Sequence, residues 1–161
     1  MSQNTPVTPV KCEIQSCAAS LGLLIQRLIV GYVMFFHGSQ KLFGWFGGGG
    51  FEKTVGGFDS MGFPMPKIMA ALAGGAECFG GILLAIGLFT RPSAFMIFFT
   101  MMVASFKVHG GAFSARDNGM EYPLTLGLVA LGLLLTGPGK LAVSRLLGLG
   151  KAKTLPRLVM S

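Results

Sequence analysis

Apolar residues along the chain gather into four runs with polar or glycine-rich breaks between them. The first extends from Ala18 to Phe43 and is interrupted by Arg27, His37 and Lys41; the second, Ile68 to Phe89, holds a single internal charge, Glu77. A third runs from Ser93 to His109, and a fourth from Tyr122 to Thr136, where Gly137-Pro138-Gly139 stops it. Roughly 20 apolar residues suffice for a helix to cross the hydrocarbon core of a bilayer. The first two runs meet that length. The last two are shorter, and either alone would also suit a buried helix of a soluble protein. A soluble bundle needs a polar outer face on its helices, and these segments hold almost no charge from which to build one. The pattern therefore predicts an all-α fold, an integral membrane bundle of four transmembrane helices at about 18–43, 67–89, 92–109 and 120–137, forming one domain over 18–139.

The breaks define the rest. Residues 1–17, with Pro6 and Pro9 among mixed polar residues, read as a flexible N-terminal leader. The first apolar run is too long for the core of a signal peptide and lacks a convincing cleavage site after it, so it is expected to remain as a helix. Residues 44–66 contain four consecutive glycines, Gly47 to Gly50, and polar Glu52, Lys53, Thr54 and Asp59 between aromatic residues. This segment reads as an outer loop partly folded onto the membrane surface, with Trp45, Phe46, Phe51, Phe58 and Phe63 as an interfacial belt. Thr90-Arg91-Pro92 reads as a tight turn, and 140–161 as a basic cytoplasmic tail.

Composition agrees with the pattern. Of 161 residues, 52% are hydrophobic and 12% charged, where a soluble domain has about 25% charged. The 25 glycines fit closely packed spanning helices. A net charge of +7 raises nucleic acid as a partner, but the charge is concentrated in Lys140, Arg145, Lys151, Lys153 and Arg157, with no acidic residue among them. That is the distribution of a segment held at the cytoplasmic face of an anionic bilayer. The lipid bilayer is thus the expected partner, nucleic acid is not, and both termini are expected to be cytoplasmic. Three cysteines make no disulfide framework, and Cys12 and Cys17 match no dithiol or zinc spacing. Two histidines are too few for haem or a di-metal centre, and no phosphate loop, nucleophile elbow or HExxH sequence occurs, so no metal and no catalytic residue is assigned.

The intramembrane charges carry the chemistry that remains. A carboxylate near the bilayer midplane costs about 2.5–3.5 kcal/mol on insertion scales, and such residues mark functional sites by default. Helical phasing puts Ala70, Gly74, Gly81 and Ala85 on the side of Glu77, and Ile68, Leu72, Phe79, Ile82 and Ile86 on the opposite side. The small-residue stripe should face the bundle and the bulky one lipid. In the first run, Arg27, Gly31, Met34, Gly38 and Lys41 share a face, with His37 at its margin. Two readings follow: Arg27 neutralises Glu77 as a structural ion pair, or Glu77 gains and loses a proton with His37 as an outward relay. At the outer ends of the runs, His37, Lys41, Lys107, His109 and Glu121 are at comparable depth and could form one polar pocket under the glycine-rich loop. The ordinary alternatives are lysines reaching the interface, a carboxylate at a helix N-terminus and solvated histidines. Arg27, His37, Lys41, Glu77, Lys107, His109 and Glu121 are the candidate ligand-binding or proton-relay residues.

Taken in order, these residues resemble the DoxX family of small bacterial membrane proteins, related to the DoxD-like subunits of thiosulfate:quinone oxidoreductase. The resemblance covers about Leu21 to Leu147. It is carried by Arg27 and Gly31, His37-Gly38-x-x-Lys41-Leu42, Glu77 with Gly80-Gly81, Gly87 through Thr90-Arg91, Lys107-x-His109, Asn118-Gly119-x-Glu121 and Thr136-Gly137-Pro138-Gly139. It implies a four-helix, multi-pass protein of the bacterial inner membrane, with some relatives linked to quinone-coupled sulfur oxidation or oxidative stress. After Gly139 this chain lacks the acidic residue expected soon after the turn. The reading that joins resemblance and residues is a redox-associated subunit binding a quinone-like or small apolar ligand, with His37, Lys41 and Glu77 on its polar groups. No cofactor is expected to be covalently bound, and electrons would come from a redox partner protein. At most the chain is a subunit of a quinone-linked oxidoreductase, because no self-contained catalytic motif is present. Two alternatives are a non-catalytic scaffold recruiting partner proteins and a small proton-linked transporter, the latter requiring a homo-oligomer to enclose enough room.

Overall fold

The computed structural model describes residues 9–149, with side chains from Cys17 onward. Leader residues 1–8 and the tail beyond 149, including Lys151, Lys153 and Arg157, lie outside the described residues. The described chain is all-helical and contains no strand. Its helices are α1 (Pro9–Phe43), α2 (Gly50–Ser60), α3 (Pro66–Ile86), α4 (Thr90–Val103), α5 (Glu121–Thr136) and a short α6 (Val143–Leu146). A π turn, Ala104–Val108, continues α4.

Local chemistry sets several boundaries. Pro66 opens α3 in the first turn, where its missing N–H is not needed. Gly87, at φ 76°, closes α3, with Gly87 N–H donating to Leu84 O and Leu88 N–H to Leu83 O. This paired closure satisfies carbonyls that would otherwise be left open. Thr90 then starts α4 almost at once, with Pro92 in its first turn.

Several segments differ from the sequence expectation: Thr90-Arg91-Pro92, read as a turn, is the first turn of α4, and Val143–Leu146, in the expected tail, is helical. Helix α1 begins at Pro9 rather than near Ala18, so the end of the supposed leader is helical. The glycine-rich segment contains the 11-residue helix α2. Gly56 and Gly57 disfavour a helix there by about 1 kcal/mol each, but contacts with α1 and with the residues that follow the helix offset that cost. The Thr54 hydroxyl donates to Lys41 O at 3.1 Å, and the Phe58 and Phe63 rings pack 4.9 Å apart.

Helices α1 and α3 lie in intimate contact along small residues. A Cβ at Gly38 would sit 2.2 Å from Cys78 N, and one at Gly81 2.7 Å from Gly31 O, so side chains at these positions would force the backbones apart. The predicted stripe is realised: Ala70, Gly74, Glu77 and Gly81 are buried and Ala85 half-buried, whereas Ile68, Leu72, Phe79, Ile82 and Ile86 are exposed. Helices α4 and α5 complete the bundle. Its core joins Val30 and Met34 of α1, Leu84 of α3, Ala94, Ile97 and Met101 of α4, and Ala130 and Leu133 of α5. Two helical segments, Cys17–Phe43 and Pro66–Ile86, are long and apolar enough to cross a membrane; α5 is apolar but shorter.

Candidate functional site

Glu77 lies near the middle of α3, on the strip that packs against α1. Because Gly38 lets the two backbones meet at Cys78, the next turn of α1 brings Lys41 over Glu77. Lys41 Nζ donates to both carboxylate oxygens, Oε1 and Oε2. The Glu77 side chain is 1% exposed and that of Lys41 34%. The carboxylate is therefore enclosed, and the Lys41 side chain is the more exposed member of the pair.

The Arg27–Glu77 pair, one of the two readings of the sequence, does not form. Arg27 lies about 21 Å along α1 from Lys41 at helical rise, beside Gly87 at the opposite end of α3. It is fully buried there, and its Nη2 donates to Leu141 O, tying the segment after α5 to α1. Helical phasing put both cations on the correct face of α1; the contact of Gly38 with Cys78 fixed the axial offset and selected Lys41.

A cavity of about 480 Å³ opens beside the ion pair, between α3 and the α4–π segment and under α2. Its walls are aliphatic and aromatic, and Lys41, Glu77, Thr100 and His109 supply the polar groups. Most ligand sites have this composition, an apolar wall with a few placed polar atoms. His109 reaches the wall because of the π turn: its N–H donates to Ala104 O at 3.0 Å, so the histidine follows Ala104 and Val108 along the lining. Such turns are common at functional sites. His109 Nδ1 is 2.8 Å from Asn118 O. A carbonyl only accepts, so Nδ1 carries the hydrogen and, in the neutral ring, Nε2 is an acceptor. The cavity thus has an ammonium donor from α1 and an imidazole from the end of the π turn.

The other candidates are not gathered with these. The half-buried His37 ring packs 6.1 Å from Tyr122 and 5.4 Å from Phe36. Glu121, exposed, accepts from Ala115 N–H at 3.0 Å and braces the loop before α5. Lys107 is exposed and has no hydrogen-bond or ionic partner among the described residues. The single outer pocket anticipated from depth is therefore divided: Lys41 and His109 line the cavity, whereas His37 and Glu121 serve packing and loop contacts. Sequence reasoning missed Thr100; it placed the glycine-rich loop over the pocket, without singling out Phe58 and Phe63 of that loop as lining residues. The aromatic residues of the glycine-rich segment were the available signal for the cap; Thr100 gave none.

Comparison with known proteins places the chain in a family. The DoxX family model matches residues 22–110, which include Lys41, Glu77 and His109. An uncharacterized protein of Haemophilus influenzae is 33% identical over 125 residues, covering 75% of this chain and 87% of its own. The inner membrane protein YphA of Escherichia coli is 32% identical, covering 76% and 88%. A Bacillus subtilis protein named "Putative oxidoreductase CatD" is 31% identical, covering 81% and 90%. No solved structure matches. With a family match over more than half its length and full-span relatives of this kind, the chain is a membrane protein belonging to the DoxX family.

Proposed function

We propose that this chain is a redox-associated subunit of the bacterial inner membrane that binds a quinone-like or small apolar ligand in the cavity beside Lys41 and Glu77. The observation that carries the reading is a buried ion pair at the wall of an apolar cavity, with a histidine on the same lining. Lys41 donates to an oxygen of the head, carbonyl in the quinone and hydroxyl in the quinol, while Glu77 holds Lys41 in place, and His109 accepts from the hydroxyl of the quinol form. The residues fit a quinone head, which when bound supplies two-electron, two-proton chemistry. Aliphatic and aromatic walls exclude water from the ring. A separate redox protein supplies or removes electrons, and the name of the Bacillus subtilis relative supports an oxidoreductase setting.

In this proposal α1, α3, α4 with its π turn, and α5 all span, with both termini cytoplasmic. Large apolar side chains exposed on α4 and α5, including Phe95, Phe99, Leu128 and Leu135, support lipid contact by those helices. Arg91, Lys140 and Arg145 lie toward the Gly87 end without an acidic residue among them, whereas the opposite end mixes Glu52, Lys53, Asp59, Lys67, Arg116, Asp117 and Glu121. That asymmetry supports a cytoplasmic Gly87 end.

The test is calorimetric titration of the purified full-length protein with decylubiquinol, the reduced form that carries the hydroxyl His109 accepts from, alongside Glu77→Gln and His109→Ala. Saturable binding weakened by roughly tenfold in either variant is expected, the value of one lost hydrogen bond to a charged or buried partner. No saturable binding, or equal binding by all three proteins, rejects the quinone reading.

A further inference from the structure

The cavity is covered on its outer side and open on its flank. Helix α2 lies over its outer end, where Phe58, Met61 and Phe63 contribute to the lining. At its inner end α3 and α4 close on one another: a Cβ at Gly80 would be 3.8 Å from the Ile97 side chain and 3.9 Å from Ser93 O, both ordinary contacts. Between these limits the lining changes steadily in exposure. Along α3 it passes from Leu72, 58% exposed, to buried Ala76 beside Glu77; on α4, Phe95 and Phe99 are 56% and 62% exposed. These exposed lining residues are apolar, and α3 is itself a candidate membrane span. A slot with such a rim opens to acyl chains, since an opening to water would set a large apolar patch against solvent.

We infer that the cavity is filled sideways from the bilayer, through the slot between α3 and α4, by an amphiphile with a polar acceptor on its head and an apolar tail left among the lipids. The class follows from where the polar atoms are. Lys41, with its side chain 34% exposed, and His109 are on the lining, while the apolar rim residues lead outward. Because Lys41 and Glu77 neutralise one another, an uncharged head oxygen meets a donor without adding net charge to the site; a phosphate or carboxylate would add one. The 480 Å³ of the cavity suits a head group, so a long chain leaves by the slot. This inference rests on the cavity being the ligand site proposed above, and deepens it by assigning route and ligand class.

The test does not depend on any quinone. Full-length protein in nanodiscs is doped with a long-chain fatty alcohol, an uncharged amphiphile, bearing a diazirine close to its hydroxyl, irradiated, and mapped by peptide mass spectrometry. Ala76, 5% exposed and on the cavity lining, should be labelled, as should exposed Phe79 on the outward face of the same helix. Buried Ala130, in the core away from the cavity, should not. Placing a ring in the slot with Ala73→Phe should cut Ala76 labelling by roughly tenfold, the occupancy lost to overpacking of about 1.4 kcal/mol, and leave Phe79 labelling unchanged. Ala104→Leu serves the same purpose if the first variant misfolds. Absence of Ala76 label while Phe79 is labelled, or Ala76 labelling indifferent to a well-folded slot variant, overturns lateral entry. Ala76 labelling that decylubiquinone does not compete leaves lateral entry standing and counts against the quinone alone.

Discussion

Removing the ammonium of Lys41 is the most decisive perturbation of this protein. In Lys41→Met, Glu77 remains 1% exposed but loses the cation that donates to both of its oxygens. Two unit charges about 4 Å apart attract by about 4 kcal/mol at an effective dielectric of about 20. Breaking one partner of a buried pair costs about 3–5 kcal/mol. Lys41 is 34% exposed, which places the expected loss at the lower limit, about 3 kcal/mol. For a chain of this length, that corresponds to a midpoint lowered by about 6–12 °C. The assay is thermal unfolding of the purified protein in mild detergent for Lys41→Met, Glu77→Gln and the double variant. The double variant should recover much of the loss, because it leaves no buried charge unpaired. A parallel cycle with Arg27→Met and Glu77→Gln should be additive within about 0.5 kcal/mol, since those residues share no contact. Coupling between Arg27 and Glu77, or none between Lys41 and Glu77, would refute the assigned pair.

The remaining predictions probe the packing and the lining. Gly38→Val should destabilise by at least about 1–3 kcal/mol, since its Cβ would fall 2.2 Å from Cys78 N; loss of folded yield in a size-exclusion profile reports it. Gly87→Ala should be similarly damaging, because φ is 76° and the new Cβ would lie 1.8 Å from Arg27 Nη1; faster trypsin cleavage after Arg145 measures release of the segment tied to Leu141 O. Lys107→Ala should change neither thermal stability beyond about 0.5 kcal/mol nor ligand titration, as expected for an exposed side chain without a partner among the described residues.

By itself the sequence determined the periodic features of this protein. Helical spacing of apolar and small residues put Glu77 on the packing face of α3, Ile68, Leu72, Phe79, Ile82 and Ile86 on its outer face, and both Arg27 and Lys41 on one seam of α1. Rotation about a helix axis is a local property, fixed at about 100° per residue, and so can be counted. Axial offset between two helices is not local. Only the meeting of Gly38 with Cys78 decided that Lys41 and not Arg27 reaches Glu77, and only the resulting position of Gly87 decided that Arg27 holds Leu141. The helix α2 likewise makes contacts beyond its own residues, with Lys41 O of α1 and with the Phe63 ring. The turn of His109 into the cavity required the change of hydrogen bonding at Ala104, which apolar periodicity does not record. The sequence thus supplied the faces, and the depth at which backbones touch decided which charged residues on those faces became partners.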